Sequence, residues 1–162
     1  VGALKKESTG MSDQVWKVYL SGEVHTDWRE VIKRGAGEAG LPVEFLTPVT
    51  DHDSSDNCGV DILGGESDSF WKDHKGASVN AIRTRTLIEK ADVVVVRFGE
   101  KYKQWNAAFD AGYAAALGKA IITVHDSGNG HALKEVDAAA LAVAEKPEQV
   151  VRLLNYAING TL

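Results

Sequence analysis

Cysteine is almost missing from this chain. Of 162 residues only Cys58 is a cysteine, so no intrachain disulfide can form, and no flanking pattern marks Cys58 as a catalytic thiol. Long apolar runs are also missing. A membrane-spanning helix needs roughly 18 or more apolar residues in succession, and neither such a run nor a secretory signal occurs. A cytoplasmic location is the default expectation, with no membrane partner. Basic clusters are absent too: 18 Lys and Arg stand against 23 Asp and Glu, for a formal net charge of −5. Nothing is concentrated to neutralise the phosphates of a nucleic-acid polymer, which is excluded as a partner. Neither G-x-G-x-x-G nor a Walker pattern is present, so no nicotinamide cofactor or nucleoside triphosphate is expected. His74, His125 and His131 lack the spacing of a zinc site. There is no internal repeat and no low-complexity linker.

What remains is ordinary for a globular domain, with 44% hydrophobic and 25% charged residues. The length suits a single domain with a real core. Residues 1–10, VGALKKESTG, follow no periodic pattern and read as a tag or disordered extension. Met11 is the expected natural start, which leaves 11–162 as one domain.

The central stretch runs from Ala91 to His125. Val93 to Val96 is a β-branched run without polar alternation, as suits a strand covered on both faces. A polar loop from Gly99 to Trp105 leads into an Ala-rich helix, Ala107 to Leu117, closed by Gly118. Ala120 to Val124 is the next buried strand. Upstream, Trp16 to Leu20 predicts a strand and Ser21-Gly22 its turn. A helix then follows, with Asp27 and Glu30 at capping-box spacing and Trp28, Val31, Ile32 and Ala39 inward. Gly40 and Pro42 end it before a strand at Val43 to Leu46. Residues 47–76 are polar and Gly-rich and read as a long ordered loop over the site. A helix from Ser78 to Lys90 turns Val79, Ile82, Leu87 and Ala91 inward. Residues 125–137 read as a second polar loop, followed by a weak strand at Ala140 to Ala144. Pro147 opens a last helix, with Val150, Val151, Leu153, Leu154, Ala157 and Ile158 on one face and Asn159-Gly160 at its end. The sum is an α/β domain: one doubly wound, five-stranded parallel sheet with helices on both faces, flavodoxin-like.

In such sheets ligands bind beyond the carboxyl ends of the strands. Three constellations fall there. In YLSGEVH, Gly22 lets the backbone approach a ligand, and Glu23 and His25 follow the strand end; a solvated turn with a helix cap reads equally well. In DHDSSDN, Asp51, Asp53, Asp56 and Asn57 can recognise sugar hydroxyls or a hard cation. The segment lacks an EF-hand's glycine and terminal glutamate, so no metal site is assigned, and a hydrated acidic loop is the plain alternative. In the central helix Asn106 is the expected N-cap, which puts Asp110 at the end of the first turn and on one face with Tyr113. The helix dipole there favours an ionised carboxylate. Held in a crevice, Asp110 suits attack at a sugar carbon, or it merely stabilises the helix. Trp105 supplies a stacking face for a base or covers the core edge. Glu100, Lys101 and Lys103 read as a solvated rim.

Taken together, YLSGEVHTDWRE, DHDSSDNCG, IRTRTLIEKADVVVV and FGEKYKQWNAAFDAGYAAALGK resemble the YtoQ family, within the nucleoside 2-deoxyribosyltransferase-like group. The resemblance spans nearly all of residues 15–158. It implies a glutamate nucleophile in a pattern like E-x-G-Y-A-x-A-x-G-K, forming a covalent glycosyl-enzyme. Here the stretch is DAGYAAALGK, so Asp110 stands in the nucleophile's place, one methylene shorter. Tyr19 to Gly22 matches the family's YLAG-like turn. Where relatives carry a base-handling aspartate, this chain offers Asn80, Arg83 and Thr84, and a cation there suits an anion. The resemblance further implies a homo-oligomer, with a small nucleoside, nucleotide or ribosyl compound as ligand. The expected function is thus cleavage or transfer at an N-glycosidic bond. Asp110 and Glu23 are the expected catalytic residues, with Glu23 the reachable general acid. A non-catalytic nucleotide or sugar-phosphate sensor is the alternative on the same fold, and metal-assisted hydrolysis in the acidic loop a third reading.

Overall fold

A computed structural model describes residues 14–162; the expected extension at 1–10 lies outside the described residues, as does Met11. Five parallel strands form one sheet in the order β2-β1-β3-β4-β5. They are β1 (Trp16–Gly22), β2 (Val43–Leu46), β3 (Val93–Arg97), β4 (Ala120–Val124) and β5 (Ala142–Ala144). This is the flavodoxin-like order, and its direction reverses between β1 and β3. The two strands pair in register from Val18 with Val93 to Gly22 with Arg97.

Alternation within the strands divides the core into two layers. Val18, Leu20, Val93, Val95, Ile122 and Val124 face α1 (Trp28–Glu38) and α6 (Pro147–Asn159), which contribute Trp28, Ile32, Ala36, Val150 and Leu154. Tyr19, Val94, Val96 and Ile121 face the opposite way. There they meet Ile88 of α3 (Ser69–Lys90) and Ala107, Ala111 and Ala114 of α4 (Trp105–Ala116), with Val136 of α5 (Lys134–Ala139) alongside. Both layers explain why Val93 to Val96 shows no polar alternation: every one of them is buried. The alanines matter for the same reason, because a slim helix face lets α4 lie close to the sheet.

Several local expectations are overturned. Segment 47–76 is not a loop: α2 (His52–Leu63) occupies its first half, and α3 begins at Ser69 rather than Ser78. The two helices meet at glycines. A Cβ on Gly59 would stand 2.6 Å from the Gly76 amide nitrogen, so backbone packs against backbone. Ile82 is exposed rather than inward, and Phe70 and Trp71 are exposed as well. In α1, Ala39 is exposed, and Asp27 makes no capping hydrogen bond; Glu30 pairs with Lys33 at 2.9 Å instead. In α6, Ala157 is exposed.

Segment 125–137 is likewise not a plain loop, since it holds a 3₁₀ turn at Ser127–Asn129 and the start of α5. Buried His125 ties it to the sheet, its Nε2 2.9 Å from Asp137 Oδ2 and its Nδ1 2.7 Å from the Asp126 carbonyl. The Thr123 hydroxyl donates to Asp137 Oδ1 at 2.8 Å. Asp137→Ala is therefore expected to strand two buried partners and to lower the unfolding free energy by about 2–3 kcal/mol. Urea denaturation measures this; a loss below about 0.5 kcal/mol would show the contact to be dispensable.

Candidate functional site

Gly22 ends β1 at φ +121, turning the chain away from the sheet at the switch point. Carbonyls that leave the ladder there need donors. Arg29, buried in the first turns of α1, supplies them: Nε to Leu20 O at 3.1 Å, Nη1 to Glu23 O at 2.7 Å, and Nη2 to Gly22 O at 3.1 Å. Trp28 Nε1 donates to Glu23 O as well, at 2.9 Å, and its ring lies 4.6 Å from the Arg29 guanidinium carbon. A buried cation is tolerated because these acceptors replace its hydration. The turn following β1 is thereby rigid.

That rigidity fixes Glu23. Its carboxylate accepts from the amides of His25 (2.7 Å) and Thr26 (3.1 Å), from the Thr26 hydroxyl, and from Arg97 Nε at 3.4 Å. Burial by itself would raise its pKa, but hydrogen bonds from Thr26 and His25 and the charge of Arg97 outweigh it and hold the carboxyl below its ordinary value. A carboxylate so held does not supply protons near neutral pH. This environment disfavours the general-acid role expected of Glu23 and suits its carboxylate to anchoring the turn.

Asp110 has the opposite environment. Ser21, inward on the same strand face as Tyr19, donates its hydroxyl to Asp110 Oδ2 at 2.7 Å. Among the described residues Oδ1 has no hydrogen-bond partner. Burial lifts the Asp110 pKa above its ordinary value, and the Ser21 hydrogen bond opposes the lift only in part. The helix begins earlier than expected: Gln104 holds the N-cap position, and its side chain accepts from the Gly99 amide at 3.0 Å. Asn106 is therefore inside the first turn and Asp110 in the second, where the helix dipole is weaker. Burial governs this carboxyl.

Both groups line a cleft of about 900 Å³ bounded by the β1–α1 turn, α2, α3 and the start of α4. Of the expected site residues the cleft unites Gly22, Glu23, His25, Asp56, Asn80, Trp105, Asn106 and Asp110. Others lie elsewhere. Tyr19 is wholly buried beneath the site, its hydroxyl without a partner among the described residues, and burial together with the Asp110 charge pushes its pKa well up. Asp51 caps α2, accepting from the Ser54 amide at 2.8 Å. Asp53 is exposed, and its carbonyl accepts from Asn57 Nδ2 at 2.9 Å. The acidic segment is a helix whose carboxylates diverge, and among the described residues no three His, Cys, Asp or Glu side chains group as metal ligands. Arg83 turns away too, its Nε donating to Thr47 O at 3.1 Å.

The cleft also holds Arg85, Tyr102 and Phe109, to which the sequence assigned no role, together with Ser21, Thr84 and Lys103, which were named in the sequence but not as site residues. Tyr102 packs on His25 with ring centroids 4.8 Å apart, closing one end. Lys103 lies over the Trp105 ring at 5.6 Å and, exposed as the rim reading expects, also lines the cleft. Ser21 had a sequence signal in its parity with Tyr19 at the end of a strand, and Thr84 in its place beside Asn80 and Arg83; Arg85, Tyr102 and Phe109 had none.

Comparison with known proteins follows the same lines. Residues 19–158 match the family described as nucleoside 2-deoxyribosyltransferase YtoQ. The chain is 44% identical over 139 residues to the uncharacterized protein YtoQ of Bacillus subtilis (strain 168), covering 86% of this chain and 94% of that one. A solved structure of a conserved protein from Enterococcus faecalis V583 superposes with a TM-score of 0.61 at 10% identity, covering 89% and 99% of the two chains. A 2-deoxyribosyltransferase from Bacillus psychrosaccharolyticus gives 0.51 at 16% identity, over 83% and 90%. A CMP N-glycosidase of Clostridium botulinum gives 0.50 at 14%, over 86% and 98%. At such identities the structures share a fold.

Proposed function

Since the chain belongs to the family of nucleoside 2-deoxyribosyltransferase YtoQ, we propose that it cleaves or transfers at an N-glycosidic bond of a nucleoside or nucleotide. The nucleophile is Asp110. One observation carries this reading: of the three carboxylates that line the cleft, Glu23 is tied up by its donors and Asp56 is exposed beside His52, whereas Asp110 has one oxygen held by Ser21 and the other uncommitted among the described residues. The held oxygen orients the group, and the second is available to react. In the first step Asp110 Oδ1 bonds to the anomeric carbon. The carbon–nitrogen bond breaks, its electron pair leaves with the base, and the base takes up a proton from solvent. In the second step water or an acceptor base attacks the same carbon and gives up a proton to solvent, and the ester to Asp110 breaks to restore the carboxylate. Exposed Trp105 and Phe109 offer faces for the base. Both named neighbours, a 2-deoxyribosyltransferase and a CMP N-glycosidase, are consistent with this class of chemistry.

The test is base release from a panel of nucleosides and nucleotides, with and without acceptor bases. Release above an Asp110→Ala control supports the reading, and none across the panel rejects it. The acid side of the pH profile adds a second check. Attack requires ionised Asp110, so turnover falls as pH drops through a value that burial has raised above the ordinary aspartate range. Ser21→Ala removes the one hydrogen bond that opposes this. The acid limb is expected to move to higher pH, with kcat/KM at neutral pH about tenfold lower. A limb that stays in place or moves lower would contradict the assignment.

A further inference from the structure

We infer that the substrate of this site carries a phosphate ester on its sugar, and that Arg85 is the residue that grips it. This rests on the glycosidic reading above and narrows it from nucleosides at large to nucleoside 5′-monophosphates. The argument begins with the charges of the cleft. Glu23 is already answered by Arg97 and by backbone and hydroxyl donors. Asp56 has His52 at 3.4 Å. What stays without an ion-pair partner of fixed charge is Asp110 on one wall, exposed Asp56 on α2, and two cations on the others, Arg85 and Lys103.

Neither cation has a carboxylate within ion-pair distance among the described residues. Each instead lies over an aromatic ring that also lines the cleft. The Arg85 guanidinium carbon is 6.0 Å from the centre of Phe109, the residue next to Asp110, and Lys103 covers Trp105. Two such cations on the walls of the cleft that holds Asp110 give it positive charge that suits an anionic ligand. A guanidinium fits phosphate through paired N–H donors.

The rest of the α3 wall agrees. Ala77 and Ala81 leave space, and Thr84 places a hydroxyl beside Arg85. Asn80 is not free for a ligand, because its amide already donates to Ser55 O and Oγ at 2.9 and 3.2 Å. Arg83, where an anion contact was expected, lies two residues from Arg85. About 100° per residue puts the two on opposed helix faces, and Arg83 is spent on Thr47. The complementary ligand presents an electrophilic carbon to Asp110 and, on the same sugar, an anion toward Arg85. A nucleoside monophosphate does both, and an uncharged nucleoside only the first.

The test compares a nucleoside with its own 5′-monophosphate on the full chain, using several bases. Wild type is expected to prefer the monophosphate by roughly 10- to 100-fold in kcat/KM. Arg85→Gln is expected to collapse that ratio toward one, mainly through KM, while Arg85→Lys keeps part of it. Equal use of both substrates by wild type, or a preference that survives Arg85→Gln, would overturn the inference. Binding to the Asp110→Asn protein, measured by calorimetry with the same ligand pairs, gives a reading independent of turnover. Tighter binding of the monophosphate that weakens in the Arg85→Gln, Asp110→Asn double variant supports the phosphate site even where no base is released, an outcome that would count against the glycosidic reading alone. Ribose 5-phosphate, in a parallel titration, separates recognition of the sugar phosphate from recognition of the base.

Discussion

Asp110→Asn is expected to remove turnover, by roughly 10³-fold or more, while making the fold more stable at neutral pH. The two effects have one cause. Burial raises the Asp110 pKa in the folded protein, so folding disfavours the ionised form. Stability linked to this group is fully present below the unfolded-state pKa and is lost as pH rises through the folded one. At neutral pH the wild-type carboxylate therefore subtracts from stability, and the neutral amide does not. The amide oxygen can still accept from the Ser21 hydroxyl, so the geometry has no reason to change. Thermal unfolding at neutral pH should show a higher midpoint for the variant. The difference should vanish in acid, near or below about pH 4, where both side chains are uncharged. A variant less stable than wild type at neutral pH would mean that ionised Asp110 is held by contacts stronger than its desolvation, and retained turnover would remove it from the chemistry. A reactive group held against its own stability is a common arrangement in active sites.

The second large effect concerns Gly22. A Cβ there would stand 2.1 Å from the Arg97 carbonyl oxygen and 2.8 Å from the Arg97 amide nitrogen, and the backbone φ is +121. All the near atoms are Arg97 backbone, which leaves nothing soft to yield. Gly22→Ala is expected to lower unfolding free energy by about 4 kcal/mol or more, a fall in midpoint of roughly 10 °C in a domain of this size. Gly40 is the matched control. It too has positive φ, at +63, but open space where a Cβ would go, so Gly40→Ala should lose only about 1 kcal/mol of backbone preference. Equal losses at the two sites would show that the close approach of β1 and β3 is not what demands the glycine. Base release should fall with Gly22→Ala beyond what reduced folding explains, because the displaced turn carries both Ser21 and Glu23.

These contrasts also show where the sequence was legible. The strands could be read because buried parallel strands are near-continuous β-branched runs, and Val93 to Val96 is one. From them and the helices between came the flavodoxin-like sheet. Helix α2 could not be read. Its sequence, HDSSDNCGVDIL, is dense in turn-forming residues, and its one fully buried position is Gly59, so it carries no apolar stripe. Contact with Gly76 of α3 is what a periodicity search cannot detect. The early start of α3 was hidden likewise, since Phe70 and Trp71 point to solvent. At the site, position 110 was recognisable from the family pattern, but Ser21 meets it from 89 positions away. The turn chemistry around Arg29 was hidden too, because a buried arginine serving three carbonyls looks in sequence like any charged helix residue.

Helix α2 has one more implication. It forms a wall of the cleft through His52, Ser55 and Asp56, yet inserts only a glycine fully into the interior. The groups proposed to perform chemistry, Ser21 and Asp110, are mounted on the sheet and on α4, whose packing tolerates little change. A lineage built this way can rewrite most of the α2 surface by drift without disturbing the layers beneath. The part of the cleft wall that α2 supplies can thus change its ligand contacts with little effect on foldability, while the walls on α3 and α4 stay as they are.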